Sequence, residues 1–462
     1  MIRLSSARRL GLLFCLWLIA CASLAAAQQP LSRGEYAAIL GDCIACHTLP
    51  GGEPFAGGVK LPTPVGDIIA TNITPSVVGI GDYSLEQFDA AVRRGIRADG
   101  KRLYPAMPYT AYARVSDEDI AAMYQWFMNE VAPSDYQPPA TELPFPFNIR
   151  LSMAAWNLLF HDNRTYTPDP AQSDEWNRGA YLVEGLTHCG TCHTPRNLFM
   201  GEDRSRLLAG GAVGPWAAPD ITSDRNRGIG DWSVEELVQY MKTGSIRRSQ
   251  ASGPMAEVVD HSLQHVTDED LQAIAIYLKS VPADASEQGA QTVHDWGQPG
   301  NRLAEVRGVT LPEETNDWSG PQLFDAYCAA CHQPSAQGTP DGIMPALYNN
   351  TATGRPESNN LALVILQGIH WFGDGHEMHM PGFAHELTDQ QIATLGNYLI
   401  EMYGNPAAEL SEGQVSALRE GTAQAQGQPD LLLLARIGLL VGVLVVLLVI
   451  GLVLRRRKKN RT

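Results

Sequence analysis

Apolar residues at helical spacing, set behind a hydroxyl residue and an acidic or polar first turn, recur three times along this chain. The three segments run from Ser116-Asp117-Glu118-Asp119-Ile120 to Phe127, from Thr267-Asp268-Glu269-Asp270-Leu271 to Leu278, and from Thr388-Asp389-Gln390-Gln391-Ile392 to Leu399. A hydroxyl cap satisfies a first-turn N–H and the acids favour the positive helix end, so each segment predicts an amphipathic helix. Two further helix starts share a longer phrase. Asn72-Ile73-Thr74 precedes Gly79-Ile80-Gly81-Asp82-Tyr83-Ser84, and Asp220-Ile221-Thr222 precedes Gly228-Ile229-Gly230-Asp231-Trp232-Ser233, with Glu86 or Glu236 in the first turn. The chain ends depart from this pattern. Arg3, Arg8 and Arg9, the apolar stretch Leu10 to Leu24, and Ala25-Ala26-Ala27 predict a signal peptide over residues 1–27; Leu18-Ile19-Ala20-Cys21 offers lipid attachment at Cys21 as the alternative. At the other end Ile437 to Leu454 is uninterrupted and apolar, preceded by Leu431–Ala435 and Arg436. Its length predicts a transmembrane helix over 431–454. Arg455 to Lys459 follow, so residues 455–462 are expected in the cytoplasm, with the chain a single-pass protein of the cell inner membrane facing the periplasm.

Charge changes the picture little, cysteine a great deal. The 462 residues carry a net charge of −16; setting aside three leader arginines and six cations of the tail leaves −25 on residues 28–454. Such acidity excludes nucleic acid as a partner, and it serves either solubility or attraction to a basic protein face. Of eight cysteines, Cys15 and Cys21 lie in the leader. The other six form three Cys-x-x-Cys-His motifs: Cys43, Cys46 and His47; Cys189, Cys192 and His193; Cys328, Cys331 and His332. In this pentapeptide each sulfur can add to a haem vinyl group and the histidine can ligate the iron. A zinc site would need a second ligand pair, which the mature chain lacks, and a redox dithiol does not require the histidine. Three covalently bound haem c groups are therefore expected.

The order motif, glycine- and proline-rich loop, methionine, capped helix is that of a small cytochrome c domain. The expected fold is all-α: three tandem cytochrome c domains at 30–135, 172–283 and 316–405, plus a single C-terminal transmembrane helix. Residues 136–171 and 406–430 read as linkers, the first carrying the aromatic insert Trp156-Asn157-Leu158-Leu159-Phe160, which either packs between domains or meets a partner or quinone. One methionine recurs before each closing helix, Met107, Met255 and Met380, and these are the candidate distal iron ligands, of the kind that raise the reduction potential. His376, Met378 and His379 crowd Met380 and leave a bis-histidine third site as an alternative; Met344-Pro345 follows His332 too closely to be favoured. Carbonyls near Pro50, Pro195 and Pro334 are candidate acceptors for the histidines' other ring N–H.

Ala70-Thr71-Asn72-Ile73-Thr74-Pro75, Leu103-Tyr104-Pro105-Ala106-Met107-Pro108-Tyr109 and Met380-Pro381-Gly382-Phe383, together with the three motifs, carry a family resemblance over roughly residues 30–405. The chain resembles the triheme cytochrome c subunit of bacterial membrane-bound alcohol, gluconate, sorbitol and fructose dehydrogenases. The resemblance implies a flavin- or pyrroloquinoline-quinone-dependent partner subunit, ubiquinone as acceptor, and His47, His193 and His332 with Met107, Met255 and Met380 as axial ligands. No P-loop, dinucleotide fingerprint or acid/base pair is present, so no catalytic residue for an organic substrate is assigned. The competing readings are an electron donor to a terminal oxidase and a self-contained multihaem oxidoreductase.

Overall fold

The computed structural model describes residues 31–283, 291–373, 375–423, 432–434, 436–438 and 440–441. The first helical unit comprises α1 (Arg33–Leu40), α2 (Cys43–His47), the pair β1 (Lys60–Leu61) and β2 (Ile68–Ile69), α3 (Leu85–Arg94), α4 (Tyr109–Tyr112) and α5 (Asp117–Asn129). After α6 (Ser152–Phe160) comes the second unit: α7 (Asp174–Tyr181), a π-turn over Leu182–Leu186, α8 (Gly190–His193), β3 (Ala209–Val213), β4 (Trp216–Asp220), α9 (Val234–Thr243), β5 (Ser245–Ile246), β6 (Ser249–Gln250), α10 (Pro254–His261) and α11 (Asp268–Ser280). The third holds α12 (Gly320–Tyr327), α13 (Ala329–His332), α14 (Thr351–Gly354), α15 (Asn359–Gln367), β7 (Ile369–Gly373), β8 (His376–Met380), α16 (Asp389–Tyr403) and α17 (Glu412–Arg419).

The caps form as the sequence predicts. Ser116, Thr267 and Thr388 each accept an N–H of the first turn of α5, α11 and α16, and Ser84 with Gln87 and Ser233 with Glu236 close full capping boxes. In each unit the closing helix crosses the first helix at a glycine. A Cβ added at Gly34 or Gly179 would overlap the carbonyl oxygen of Ala122 or Ala273, and one at Gly320 would overlap Tyr398. Only glycine permits so close an approach of the helices.

Two hydrophobic cores result among the described residues. One runs without a break through the first two units, joining Leu40, Ile120 and Phe127 to Leu182, Leu186, Leu271 and Ile274. The third unit has its own, built on Leu323, Leu363, Ile392, Leu395 and Tyr403. Its hairpin nevertheless sends Trp371, 2% exposed, into the first core, where the indole N–H donates to the Ala251 carbonyl at 3.0 Å.

A reciprocal clasp joins the first two units. Arg33 binds Asp119 at 2.7 Å and Tyr181 of the second unit donates to the same carboxylate. In mirror fashion Arg178 grips Asp270 with two bonds of 2.8 and 2.7 Å, while Tyr36 of the first unit donates to it at 2.8 Å. The phrases Arg33-Gly34-Glu35-Tyr36 and Arg178-Gly179-Ala180-Tyr181 thus serve one role in both units. The insert behaves as packing: Asn157 accepts from Tyr109, Trp156 donates to the Phe199 carbonyl, and Phe160 lies against Phe199, while Leu158 and Leu159 stay exposed.

Two expectations are corrected. The chain is not all-α: β1–β2, β3–β4, β5–β6 and β7–β8 form four two-stranded antiparallel sheets. Short extended runs in the glycine-rich loops fold back on each other there, as at the Gly214-Pro215 turn between β3 and β4. Secondly, among the described residues no helix is long and apolar enough to cross a membrane. The longest, α16 at 15 residues, is about 22 Å, short of the ~30 Å hydrocarbon core. The single-pass, periplasm-facing placement in the inner membrane is withdrawn with it. The signal peptide 1–27, two thirds of the run 431–454 and the tail 455–462 lie outside the described residues.

Candidate haem-iron sites

Each Cys-x-x-Cys-His motif lies on a single helical turn, α2, α8 or α13, with its neighbouring residue. Positions i, i+3 and i+4 share one face of such a turn, so both sulfurs and the imidazole address one side. None of the six cysteines is in a disulfide. Burial pushes the Cys43, Cys46 and Cys328 thiols up to about 12 and Cys192 up to about 11, with nearby acidic groups such as Asp42 adding to the rise at Cys43. These are neutral thiols, unlike the low-pKa cysteine of a redox dithiol.

The three histidines are held alike. His47 Nδ1 meets the Thr71 carbonyl at 2.6 Å, His193 Nδ1 the Pro219 carbonyl at 2.7 Å, and His332 Nδ1 the Pro345 carbonyl at 2.9 Å. Burial pulls all three imidazoles below their ordinary pKa, against the opposing pull of those carbonyls, and so keeps them neutral. A neutral ring that donates through Nδ1 carries its lone pair on Nε2, where an iron can take it. The residues therefore fit haem ligation.

The accepting carbonyls are not those near Pro50, Pro195 and Pro334. Two of them belong to the residues just ahead of Asn72-Ile73-Thr74 and Asp220-Ile221-Thr222. In each phrase the first side chain accepts from the threonine's N–H and hydroxyl, at 2.8 and 2.7 Å for Asn72 and 2.7 and 2.7 Å for Asp220. This local turn fixes the preceding carbonyl toward the histidine. The phrase was visible in the sequence; its purpose was not.

The methionines occupy comparable positions in loop geometry and different ones in structure. Met107 precedes α4, and Met255 is the second residue of α10; both are half-buried against the shared core, as are Cys43 and Cys189. Met380 ends β8 opposite Ile369. Met378, opposite Trp371, packs against the shared core and, with Ile343, Met344, Glu377 and His379, lines an open cavity of about 440 Å³.

The first two motifs are in contact. The Gly41 carbonyl, two residues before Cys43, accepts from Tyr112 at 2.6 Å and meets His188 Nε2, next to Cys189, at 3.3 Å. Helix α10 packs on α2 on one side and on β7 of the third unit on the other. The third unit also grips the strand that orients His193. Asn360 accepts from the Ala217 N–H and donates to the Ala217 carbonyl, both at 2.9 Å, two residues from Pro219. Arg355 of the same unit lies close enough to His193, Tyr240 and Asp220 to act on them electrostatically, and burial lowers its guanidinium pKa.

Comparison with known proteins decides the family. The chain is 44% identical over 457 residues to the fructose dehydrogenase cytochrome subunit of Gluconobacter japonicus, covering 94% of this chain and 93% of that one. It belongs to the cytochrome c subunits of dehydrogenase complexes. The gluconate 2-dehydrogenase cytochrome c subunit of Pantoea cypripedii is 38% identical (87% and 92% covered). The cytochrome c subunit of the quinone alcohol dehydrogenase of Gluconobacter oxydans is 39% identical (84% and 82%). The cytochrome c family model matches residues 319–402 of this cytochrome c subunit alone. Three tandem cytochrome c domains is therefore corrected to one. The structural ground is plain: only the third unit has a core of its own, while the first two merge theirs and share a clasp. The cytochrome c subunit carries covalent haem c and an electron-transfer role by family membership.

Proposed function

We propose that this subunit takes electrons from a flavin- or pyrroloquinoline-quinone-dependent dehydrogenase subunit and passes them through three haem c groups to ubiquinone. The haems are assigned to the thiol pairs Cys43 and Cys46, Cys189 and Cys192, and Cys328 and Cys331, in units bounded at 30–135, 172–283 and 316–405, joined by 136–171; the start of the expected linker 406–430 instead folds onto the third unit as α17, with Val415 and Leu418 in its core. His47, His193 and His332 are assigned as proximal ligands and Met107, Met255 and Met380 as distal ones. The observation that carries the reading is the threefold recurrence of an imidazole tied through Nδ1 to a backbone carbonyl. Bound haem supplies a one-electron iron couple.

The chain's own residues do the rest. The carbonyls orient the imidazoles, and Met107, Met255 and Met380 as second ligands would raise the reduction potential and leave no position open to small ligands. Arg355 offers a positive charge beside the second site that would suit a haem carboxylate. Helix α10, which carries Met255, packs on α2 of the first unit and on β7 of the third, so the second unit touches both of its neighbours. The names of these three relatives, each a subunit of a dehydrogenase, support the partner class.

Two measurements test the reading. Haem per chain, by pyridine haemochrome absorbance against protein mass, is expected at three and to fall to two in each double variant such as Cys189→Ala/Cys192→Ala. Affinity purification of the tagged subunit is expected to bring down a flavin or quinoprotein dehydrogenase whose substrate reduces the haems. One haem per chain, or co-purification of oxidase subunits instead, overturns it.

A further inference from the structure

The hairpin β7–β8 has two faces of opposite character. Ile369, Trp371 and Met378 point into the shared core. His370, Phe372, Glu377 and His379 face solvent, as the two-residue period of a strand requires. In register His370 stands opposite His379, and Phe372 opposite Glu377, so Glu377 lies on the diagonal from His370. Opposed side chains are near neighbours and diagonal ones remain within reach of long side chains.

We infer that His370, Glu377 and His379 form a surface site for a divalent transition metal, with zinc as the best-matched ion. The ligand atoms of the three side chains all lie within 4.8 Å of one another. His370 Nε2 is 2.9 Å from a Glu377 carboxylate oxygen, and the two imidazole centroids are 5.4 Å apart at 76°. Around a tetrahedral ion with bonds of ~2.0–2.2 Å, neighbouring ligand atoms sit roughly 3.4 Å apart. Side-chain rotation of about an ångström closes the difference, and side chains more than half exposed are free to make it. The backbone that presents them is not free, because Trp371 anchors the hairpin from behind. Two imidazoles and one carboxylate, with solvent for the fourth position, suit zinc, copper or nickel and disfavour calcium and magnesium, which take oxygen ligands. A bound ion would pin β7 to β8 at the end that carries Met380.

The ordinary alternative is a surface His–Glu pair beside an unrelated histidine, and titration separates the two. Zinc chloride is titrated calorimetrically into the haem-loaded full chain, whose attachment cysteines are occupied. One equivalent is expected to bind, with affinity falling about tenfold or more in Glu377→Gln and binding lost in His370→Ala. Copper(II) in place of zinc is expected to give an electron paramagnetic resonance signal coupled to two imidazole nitrogens, reduced to one in His370→Ala. Far-ultraviolet circular dichroism of each variant reports that the chain is folded. Absence of zinc binding by the parent, or an unchanged equivalent in the folded His370→Ala variant, overturns the site.

Discussion

Asp270 carries the second half of the reciprocal clasp, and a double-mutant cycle with Tyr36 measures it. Asp270 receives two bonds from Arg178 and one from Tyr36, and its side chain is 12% exposed. A hydrogen bond to a charged group is worth about 1.5–3 kcal/mol. Arg178 is 38% exposed, so solvent screening puts its share at the low end. Tyr36→Phe removes one hydroxyl at nearly constant volume and is expected to cost about 1.5 kcal/mol. Asp270→Asn keeps the shape, removes the charge, and is expected to cost about 2–3 kcal/mol. The two residues touch, so the double variant is expected to fall short of the sum by about 1 kcal/mol. Urea unfolding of the haem-loaded protein, followed by circular dichroism, supplies all four stabilities. Strict additivity, or a cost below ~0.5 kcal/mol for Asp270→Asn, would show that the clasp is a bystander of packing and refute the argument.

The same carboxylate sets a pH dependence: burial raises the Asp270 pKa, but Arg178 and Tyr36 outweigh it and hold it below the ordinary value. Its stabilisation is present above the unfolded carboxylate pKa of about 4 and is lost as pH falls through the lower folded value, so acid unfolding of Asp270→Asn should show a shallower slope than the parent. Asn360→Ala releases the strand that supplies the His193 acceptor; it is expected to cost about 1–2 kcal/mol and to change the reduction potential of one haem, read by spectroelectrochemistry. An unchanged set of potentials would separate the Asn360 contact from the iron. Gly179→Ala drives a methyl into the Ala273 carbonyl and is expected to destabilise by about 1–3 kcal/mol in thermal unfolding, whereas Gly413→Ala, within α17 where an added Cβ meets nothing, is expected to leave stability unchanged or raise it by up to about 1 kcal/mol.

Helices, caps and attachment motifs were legible because their signals are local. Ser116, Thr267 and Thr388 act on N–H groups three residues away, and the motif cysteines and histidines share one turn. Long-range partners were not. Asp119 and Asp270 read as first-turn acids complementing a helix end, yet they also accept from tyrosines of the other unit. Nothing near His47 announces Thr71, which lies 24 residues on. The β7–β8 hairpin had a signal, Asp374-Gly375 between alternating residues, but the same histidines and methionines also suit iron ligation, which masks the strand period. The all-α expectation failed at that point, and the three-domain expectation failed because repeated motifs do not reveal whether neighbouring units keep separate cores.

Trp371 sits in the core of residues that precede it by a long stretch of chain, filling space against Gly244 and bonding Ala251. Proteins are made from the amino terminus, and domains generally fold as they emerge. The second unit cannot complete its interior on that schedule, since one wall is delivered only when residue 371 has been synthesised. Until then α9 and α10 border an apolar gap the size of an indole. The last unit to be made is thus the one that closes the middle.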